Sequence, residues 1–596
     1  MIAVALALMT GTRRMAAQVA RGVDYTLTVD PVAPAGITVD MRIRGAPAEF
    51  RVAMVAHTEY DDGYWRYLAG LRGESTRGKV EVTRADSAVW RVRAPAGEVT
   101  LHYRIDFPAA LPMEQAAWMA HLTPTGGLLG GPHSFLYIVG AERAPVRLAV
   151  NLPEGWTILT GLPSAPGAGR FTASGVEELT DSPLLVGRIR SWRFEVHGVP
   201  HRIAWLGCAA GTSFDTALFV GRVERMAAEA VRMFGRTTYR NYQFLFEDCT
   251  HGGLEHRNSV TIGLQSAELA RDPDAYLGQI AHEFVHTWNE VHVRPASWIG
   301  VRYLPPAPTG ELWWSEGVTL YFADLVLRRA GLPTRDSTRA AHVARLITSY
   351  LANPSHALVS PEETSRAFNQ PPGATGDYTP SMFTQGELLG IVLDLMIREG
   401  SGGRRTLADV MGALVVRFSP RRGFTGQDLE RAVSAACACD TAPFFDGYVR
   451  APGALDFARW LAVIGLRPVV SRALVLSADG TPAPDLRVWV DGAAADSVLR
   501  LRIWFPDTQW GRAGLHTGDR LDSVNGVAVH TPAQFRHALE QLHVGDTIHV
   551  AGAHRAVSFS KAFIVTGYER PAVRLESRPD ATPVERLRLA EWTSVR

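Results

Sequence analysis

Asp272-Pro273-Asp274-Ala275-Tyr276-Leu277-Gly278-Gln279-Ile280-Ala281-His282-Glu283-Phe284-Val285-His286-Thr287-Trp288 decides how the rest of the chain is read. The opening Asp and Pro predict a helix start, with Asp accepting from free amides and Pro suiting the first turn. Tyr276, Leu277, Ile280, Ala281, Phe284, Val285 and Trp288 then form an apolar stripe at helical spacing. His282 and His286 project from one face about one turn apart, so both imidazoles can hold one metal ion. Glu283, beside them, can reach a water on that ion. A catalytic zinc needs a third protein ligand and an open fourth position. Leu312-Trp313-Trp314-Ser315-Glu316-Gly317-Val318-Thr319-Leu320-Tyr321-Phe322 supplies a candidate, with Glu316 at the head of a second apolar helix. Alone, such a glutamate is an ordinary partner of the helix dipole. Paired with the first helix, it reads as the third ligand.

On either side of this region the pattern changes. The 596 residues predict three or four folding units. From 22 to 195, stretches such as Tyr25-Thr26-Leu27-Thr28-Val29 and Leu101-His102-Tyr103-Arg104-Ile105 alternate apolar with polar. Many short strands and no helical stretch predict a β-sandwich. Near 213 the pattern turns helical, starting at Ser213-Phe214-Asp215, and helices are expected to dominate the unit 196–466. Strands and turns return over 467–573, and 574–596 reads as a polar extension.

The 61 Lys+Arg against 60 Asp+Glu, with no long block of one sign, argue against nucleic acid as a partner. No apolar run reaches the ~18 residues of a membrane span. Ile2 to Met9, then Arg13, Arg14 and Met15-Ala16-Ala17-Gln18-Val19-Ala20, let residues 1–21 read as a leader for export to the periplasm or the medium. With no basic residues ahead of the apolar stretch, a cytoplasmic location stays open. Of the four cysteines, Cys437 and Cys439 are expected as helix-packing thiols, and a Cys208–Cys249 bridge is left undecided.

His282-Glu283-Phe284-Val285-His286-Thr287-Trp288-Asn289, then Arg294-Pro295, then Trp314-Ser315-Glu316-Gly317-Val318-Thr319-Leu320-Tyr321, resembles the glycyl aminopeptidase family of zinc metallopeptidases. Gly252-Gly253-Leu254-Glu255-His256, Gly386-Glu387-Leu388-Leu389-Gly390 and Phe444-Phe445-Asp446-Gly447-Tyr448-Val449 extend the likeness. The resemblance implies a multidomain α+β chain: an N-terminal β-sandwich, a thermolysin-like, mostly helical zinc peptidase domain, and a C-terminal PDZ-like domain. It implies one Zn²⁺ per chain on His282, His286 and Glu316, with Glu283 as general base. Glu255 and Gly253 match an element that holds the substrate's free amine in neighbouring aminopeptidase families. His251, His256 and His292 are expected as neighbours of the site. Relatives carry a tyrosine, an oxyanion donor, where this chain has Phe383; Tyr378, just before, is the candidate substitute.

Ala513-Gly514-Leu515-His516-Thr517-Gly518-Asp519 and Asn525-Gly526 resemble a PDZ domain of bacterial peptidases. That module would take a peptide C-terminus or a protein partner by strand addition, or serve structure alone. The resulting expectation is an aminopeptidase that removes N-terminal residues, small ones such as Gly or Ala, from peptide substrates. Two alternatives stand beside it: a zinc-binding but catalytically impaired homologue that acts as a binding module, and an endopeptidase.

Overall fold

The computed structural model describes residues 20–29, 36–57, 63–107, 117–368, 370, 374–491 and 498–594. All but the end of the leader reading, 1–21, lies outside them.

The alternating N-terminal stretches are strands. Gly22–Val29 lies between Val146–Asn151 and Gly36–Ala46 in a six-stranded sheet. A four-stranded sheet, Leu136–Ile138, Glu49–Met54, Val89–Arg93 and Glu81–Arg84, faces it. Leu27, Val39 and Leu101 of the first sheet share one core with Val52, Val92 and Leu136 of the second. The Tyr25 hydroxyl donates to the Leu136 carbonyl across that core at 2.6 Å. A third sheet, which the sequence pattern did not predict, carries Leu128, Leu159 and Leu185. These pack against Ala204, Leu206 and Leu245 of the next unit.

That next unit is less helical at its start than expected. Ile189–Val196, Val199–Leu206, Tyr242–Asp248, Ser259–Leu264 and Gly253–His256 form a five-stranded mixed sheet, so it begins before the expected boundary at 195/196. Every residue of Tyr242–Asp248 is buried. A strand buried on both faces shows no alternation and reads like any short apolar run. The helix Thr216–Phe234 starts as expected, with Asp215 accepting from the Leu218 amide at 2.9 Å.

Two expectations need correction. Asp272 does not cap the histidine helix: its carboxylate accepts from the Asp274 amide and closes a turn, and the helix runs Leu277–Val285 without a side-chain cap. Nor are Cys437 and Cys439 free thiols. They are disulfide-bonded, with Ala438 between them in the left-handed region at φ 55°, and Cys208 is bonded to Cys249.

In the C-terminal module, Trp489–Asp491, Leu499–Arg502, Arg520–Val524, Thr547–His554 and Val557–Ile564 form a sheet over Leu501, Trp510, Phe535 and Ile548. Asn525 (φ 50°) and Gly526 (φ 78°) supply the two left-handed positions that a tight hairpin requires. The helix Pro532–Glu540 opens on a capping box between Thr531 and Gln534. The expected polar extension at 574 is not peripheral. Strand Glu569–Ser577 pairs along its length with Leu466–Leu474, and the helix Pro583–Thr593 returns to the peptidase unit. There Trp592 is 1% exposed, and the Arg339 guanidinium stacks 4.2 Å above its ring while donating to its carbonyl. Trp592→Ala should therefore lower stability by about 3–5 kcal/mol, read from denaturant unfolding. A change below about 1 kcal/mol, the size of an ordinary surface substitution, would show that the helix only decorates the fold.

Candidate metal centre

His282 lies on the last turn of its helix, and His286 is the C-cap residue, still in right-handed helical geometry (φ −54°, ψ −23°). The i, i+4 relation therefore survives although the helix formally ends at Val285. The two Nε2 atoms stand 3.0 Å apart, and Glu316 Oε2 lies 3.2 Å from His282 Nε2 and 3.4 Å from His286 Nε2. Ligand atoms ~2.0–2.1 Å from a tetrahedral zinc define a face with edges of about 3.3 Å. The three atoms form such a face. His286 Nδ1 sits 3.1 Å from the Asn289 carbonyl, which takes the ring proton on that side and frees Nε2. Two imidazole nitrogens and a carboxylate oxygen, buried together with their lone pairs converging, fit a zinc ion with an open fourth corner.

The electrostatics agree. Burial lowers the His282 pKa, and His286 lowers it further. Burial also depresses His286, but Glu316 and then Glu255 outweigh it and carry the value up to about 10. Glu316, for all its burial, is held well below the ordinary carboxylate range by His286 and His282. A positive charge is stabilised at this spot.

Glu316 is held by an unusual local structure. Trp313–Val318 is a π-helical turn at the head of the helix Thr319–Arg329. Asn289 Nδ2 donates to the Trp314 carbonyl (2.9 Å), the Ser315 carbonyl (3.3 Å) and Thr319 Oγ1 (2.9 Å), tying the histidine segment to that turn. From the other side the helix Met382–Gly400 crosses at contact distance. A Cβ on Gly386 would meet the Trp313 carbonyl at 2.0 Å, and one on Gly317 would meet Gly386 Cα at 2.4 Å. Only glycine fits at either position.

Glu283 and Glu255 complete the site. Glu283 is 8% exposed, and its carboxylate faces strand Gly253–His256, where a Cβ on Gly253 would stand 2.4 Å from Glu283 Oε1. Gly253 thus gives Glu283 its space. Carboxylate oxygens of Glu255 and Glu283 and a ring nitrogen of His286 all lie within 4.8 Å of one another. Burial raises the Glu255 pKa against the pull of His286. A half-buried and a buried carboxylate this close favour a cation between them.

The Phe383 ring stands 6.5 Å from the His282 ring, so phenylalanine occupies the flank of the metal position. Tyr378 is 37% exposed and lines a neighbouring cavity with Phe383. Among the described residues no hydrogen bond joins its hydroxyl to the histidines or Glu316. His256 pairs with Asp181 at 3.3 Å and His251 meets Trp118 edge-on, both beside the site. His292 binds the Val415 carbonyl and belongs to packing, not to the site. Sequence reasoning missed Trp118, whose ring would collide with any Cβ on Gly252. It arrives from the N-terminal unit, 134 positions earlier in the chain, and no local signal marks it.

Residues 24–188 match the Peptidase M61 N-terminal domain, and residues 275–389 match the M61 glycyl aminopeptidase domain. Both matched segments are domains of the M61 peptidase family. The family match spans both the histidine segment and Glu316, and it makes the chain a zinc peptidase of aminopeptidase type. A crystal structure of an aminopeptidase N family protein from Idiomarina loihiensis has the same fold. It superposes with TM-score 0.76 at 21% identity, over 96% of this chain and 100% of that one. An M1 zinc metallopeptidase from Deinococcus radiodurans is more distant, with TM-score 0.46 at 15% identity over 70% and 90%. No curated protein matches.

The convergence of donors predicts one zinc per chain. Glu316→Ala should lose most of it, whereas Glu283→Gln should keep it, as measured by elemental analysis of the purified variants. Equal metal content in the wild type and Glu316→Ala would move the third ligand elsewhere.

Proposed function

We propose that the protein hydrolyses the first peptide bond of peptide substrates, releasing N-terminal residues, with His282, His286 and Glu316 as zinc ligands. The observation that carries this reading is the closeness of Glu255 to both Glu283 and His286. A general base needs no second carboxylate beside it; a substrate ammonium does.

When bound, zinc polarises the scissile carbonyl and acidifies the attacking water. Glu283 takes that water's proton. As the carbon–nitrogen bond breaks, Glu283 delivers the proton to the departing amine, which leaves neutral. Glu255 holds the α-ammonium and so fixes which peptide bond meets Glu283. The family description suggests glycine as the preferred first residue. Trp118 against Gly252 supports a small one by crowding the amine end of the cleft. Phe383 favours a second reading, a metal-binding homologue with impaired turnover, because its ring cannot donate to an oxyanion.

The C-terminal module supports a PDZ-like reading through its Asn525-Gly526 hairpin and its helix Pro532–Glu540, and with it a peptide C-terminus or protein partner. Two disulfides support export to an oxidising compartment, the periplasm or the medium.

The test compares an alanyl anilide with its N-acetyl analogue. Leaving an ammonium unpaired in a buried site costs roughly 3–5 kcal/mol. Glu255→Ala should accordingly lower kcat/KM for the free amine by about two to three orders of magnitude. The wild type should cleave the acetylated analogue poorly; equal rates on the two would make the enzyme an endopeptidase. Phe383→Tyr restores a donor beside His282 and should raise kcat about tenfold or more. An unchanged rate would mean that another hydroxyl, Tyr378 first, already serves.

A further inference from the structure

The cleft does not end at the metal ligands. Phe383, which flanks His282, also lines a cavity of about 530 Å³ whose opposite wall belongs to the C-terminal module. Phe368, Tyr378 and Phe383 face Arg502, Trp504 and Thr517 across it. The volume lies within the range of about 300–1,000 Å³ typical of ligand clefts.

The wall is fixed. Asp377, in the turn before Tyr378, accepts from the Thr517 amide at 2.6 Å, and its other oxygen pairs with His516 Nδ1 at 2.6 Å. Thr517 in turn bonds Ile503 in both directions, beside Trp504. Trp504 stacks on Trp489 at 4.2 Å, and Arg502 is bonded to Asp491. The aromatic wall is therefore held from both sides: by its own sheet, and by a carboxylate from the catalytic unit.

The direction of the site gives this cavity its occupant. Glu255 groups with Glu283 and His286 within 4.8 Å, whereas the Phe383 ring stands 6.5 Å from the His282 ring. A peptide whose ammonium is held at Glu255 and whose first carbonyl meets the metal must continue past His282. We propose that the cavity between the catalytic unit and the C-terminal module is the subsite for the leaving portion of the substrate, with Trp504 as its far wall. The C-terminal module then belongs to the active site, and peptides long enough to reach Trp504 are preferred over truncated substrates. This rests on the aminopeptidase reading above.

The experiment measures kcat/KM for an alanyl anilide and for alanyl-trialanine on the wild type, Trp504→Ala and Ala367→Trp. The first variant removes the wall. The second fills the cavity from the helix Pro361–Ala367 and leaves the module's fold untouched. In both, the ratio of tetrapeptide to anilide kcat/KM should fall about tenfold, the effect of losing one aromatic contact. Calorimetric binding of the tetrapeptide to Glu283→Gln should weaken by the same factor when either substitution is added. An unchanged ratio in Ala367→Trp, with unchanged tetrapeptide binding, overturns the subsite while leaving the aminopeptidase intact. A wild type inert toward both substrates overturns the peptidase reading and the subsite with it.

Discussion

The three hydrogen bonds of Asn289 are the constraint on which the metal centre depends. Two of the candidate ligands come from one helix end and the third from another segment, and a metal face with edges near 3 Å tolerates little drift between them. Asn289 stands three residues after His286, so its position is set by the same turn that sets the second ligand. Its amide reaches the carbonyls of Trp314 and Ser315, immediately before Glu316. Thr319 Oγ1 also donates to the Ser315 carbonyl, at 2.6 Å, so the amide of Asn289 joins a bonded cluster on the π-helical turn. That amide ties the two halves of the site together. The Gly317–Gly386 crossing closes the arrangement from behind, because any side chain there would push Glu316 away from the histidines.

The same logic makes the electrostatics cooperative. Burying two imidazoles and three carboxylates in one place is unfavourable for each group alone. Together they form a site that lacks positive charge in two adjacent positions: one ringed by nitrogen and oxygen lone pairs, the other between Glu255 and Glu283. A metal ion suits the first and an ammonium the second. On the aminopeptidase reading, the first position would serve a peptide's first carbonyl and the second its free amine.

How much of this was legible in the sequence follows from how local each feature is. His282, Glu283, His286 and Asn289 lie within one continuous stretch, and a helical period is enough to bring them together. Glu316 needed a second helix to be recognised, and Glu255 needed the family likeness, since a carboxylate in a Gly-rich loop has no signal of its own. The strand Tyr242–Asp248 was hidden because burial on both faces erases alternation. The cap at Asp272 was misread because an Asp-x-Asp turn and a helix N-terminus use the same residues. The Cys437–Cys439 bond depends on a left-handed Ala438, a conformation that alanine composition does not announce. Trp592 was missed because one tryptophan in a polar helix reads as a surface residue until Arg339 is found above it.

Long-range placement is the class of information that remained out of reach, and it is also where the modules acquire their roles. Trp118 from the N-terminal unit crowds Gly252, next to the strand Gly253–His256, and Trp504 from the C-terminal module lines the same cavity as Phe383. The catalytic unit by itself supplies the three candidate metal ligands, His282, His286 and Glu316, and the carboxylates of Glu255 and Glu283. The aromatic surfaces that would read the rest of a peptide come from its neighbours. On that proposal, a chain built this way would separate chemistry, which demands sub-ångström agreement within one packed unit, from recognition, which tolerates the looser precision of an interface between units. The His516–Asp377–Thr517 contact shows how that interface is kept from drifting. One carboxylate takes two donors from the module, and it sits one residue from Tyr378, so any movement of the module is felt first in the loop beside Phe383.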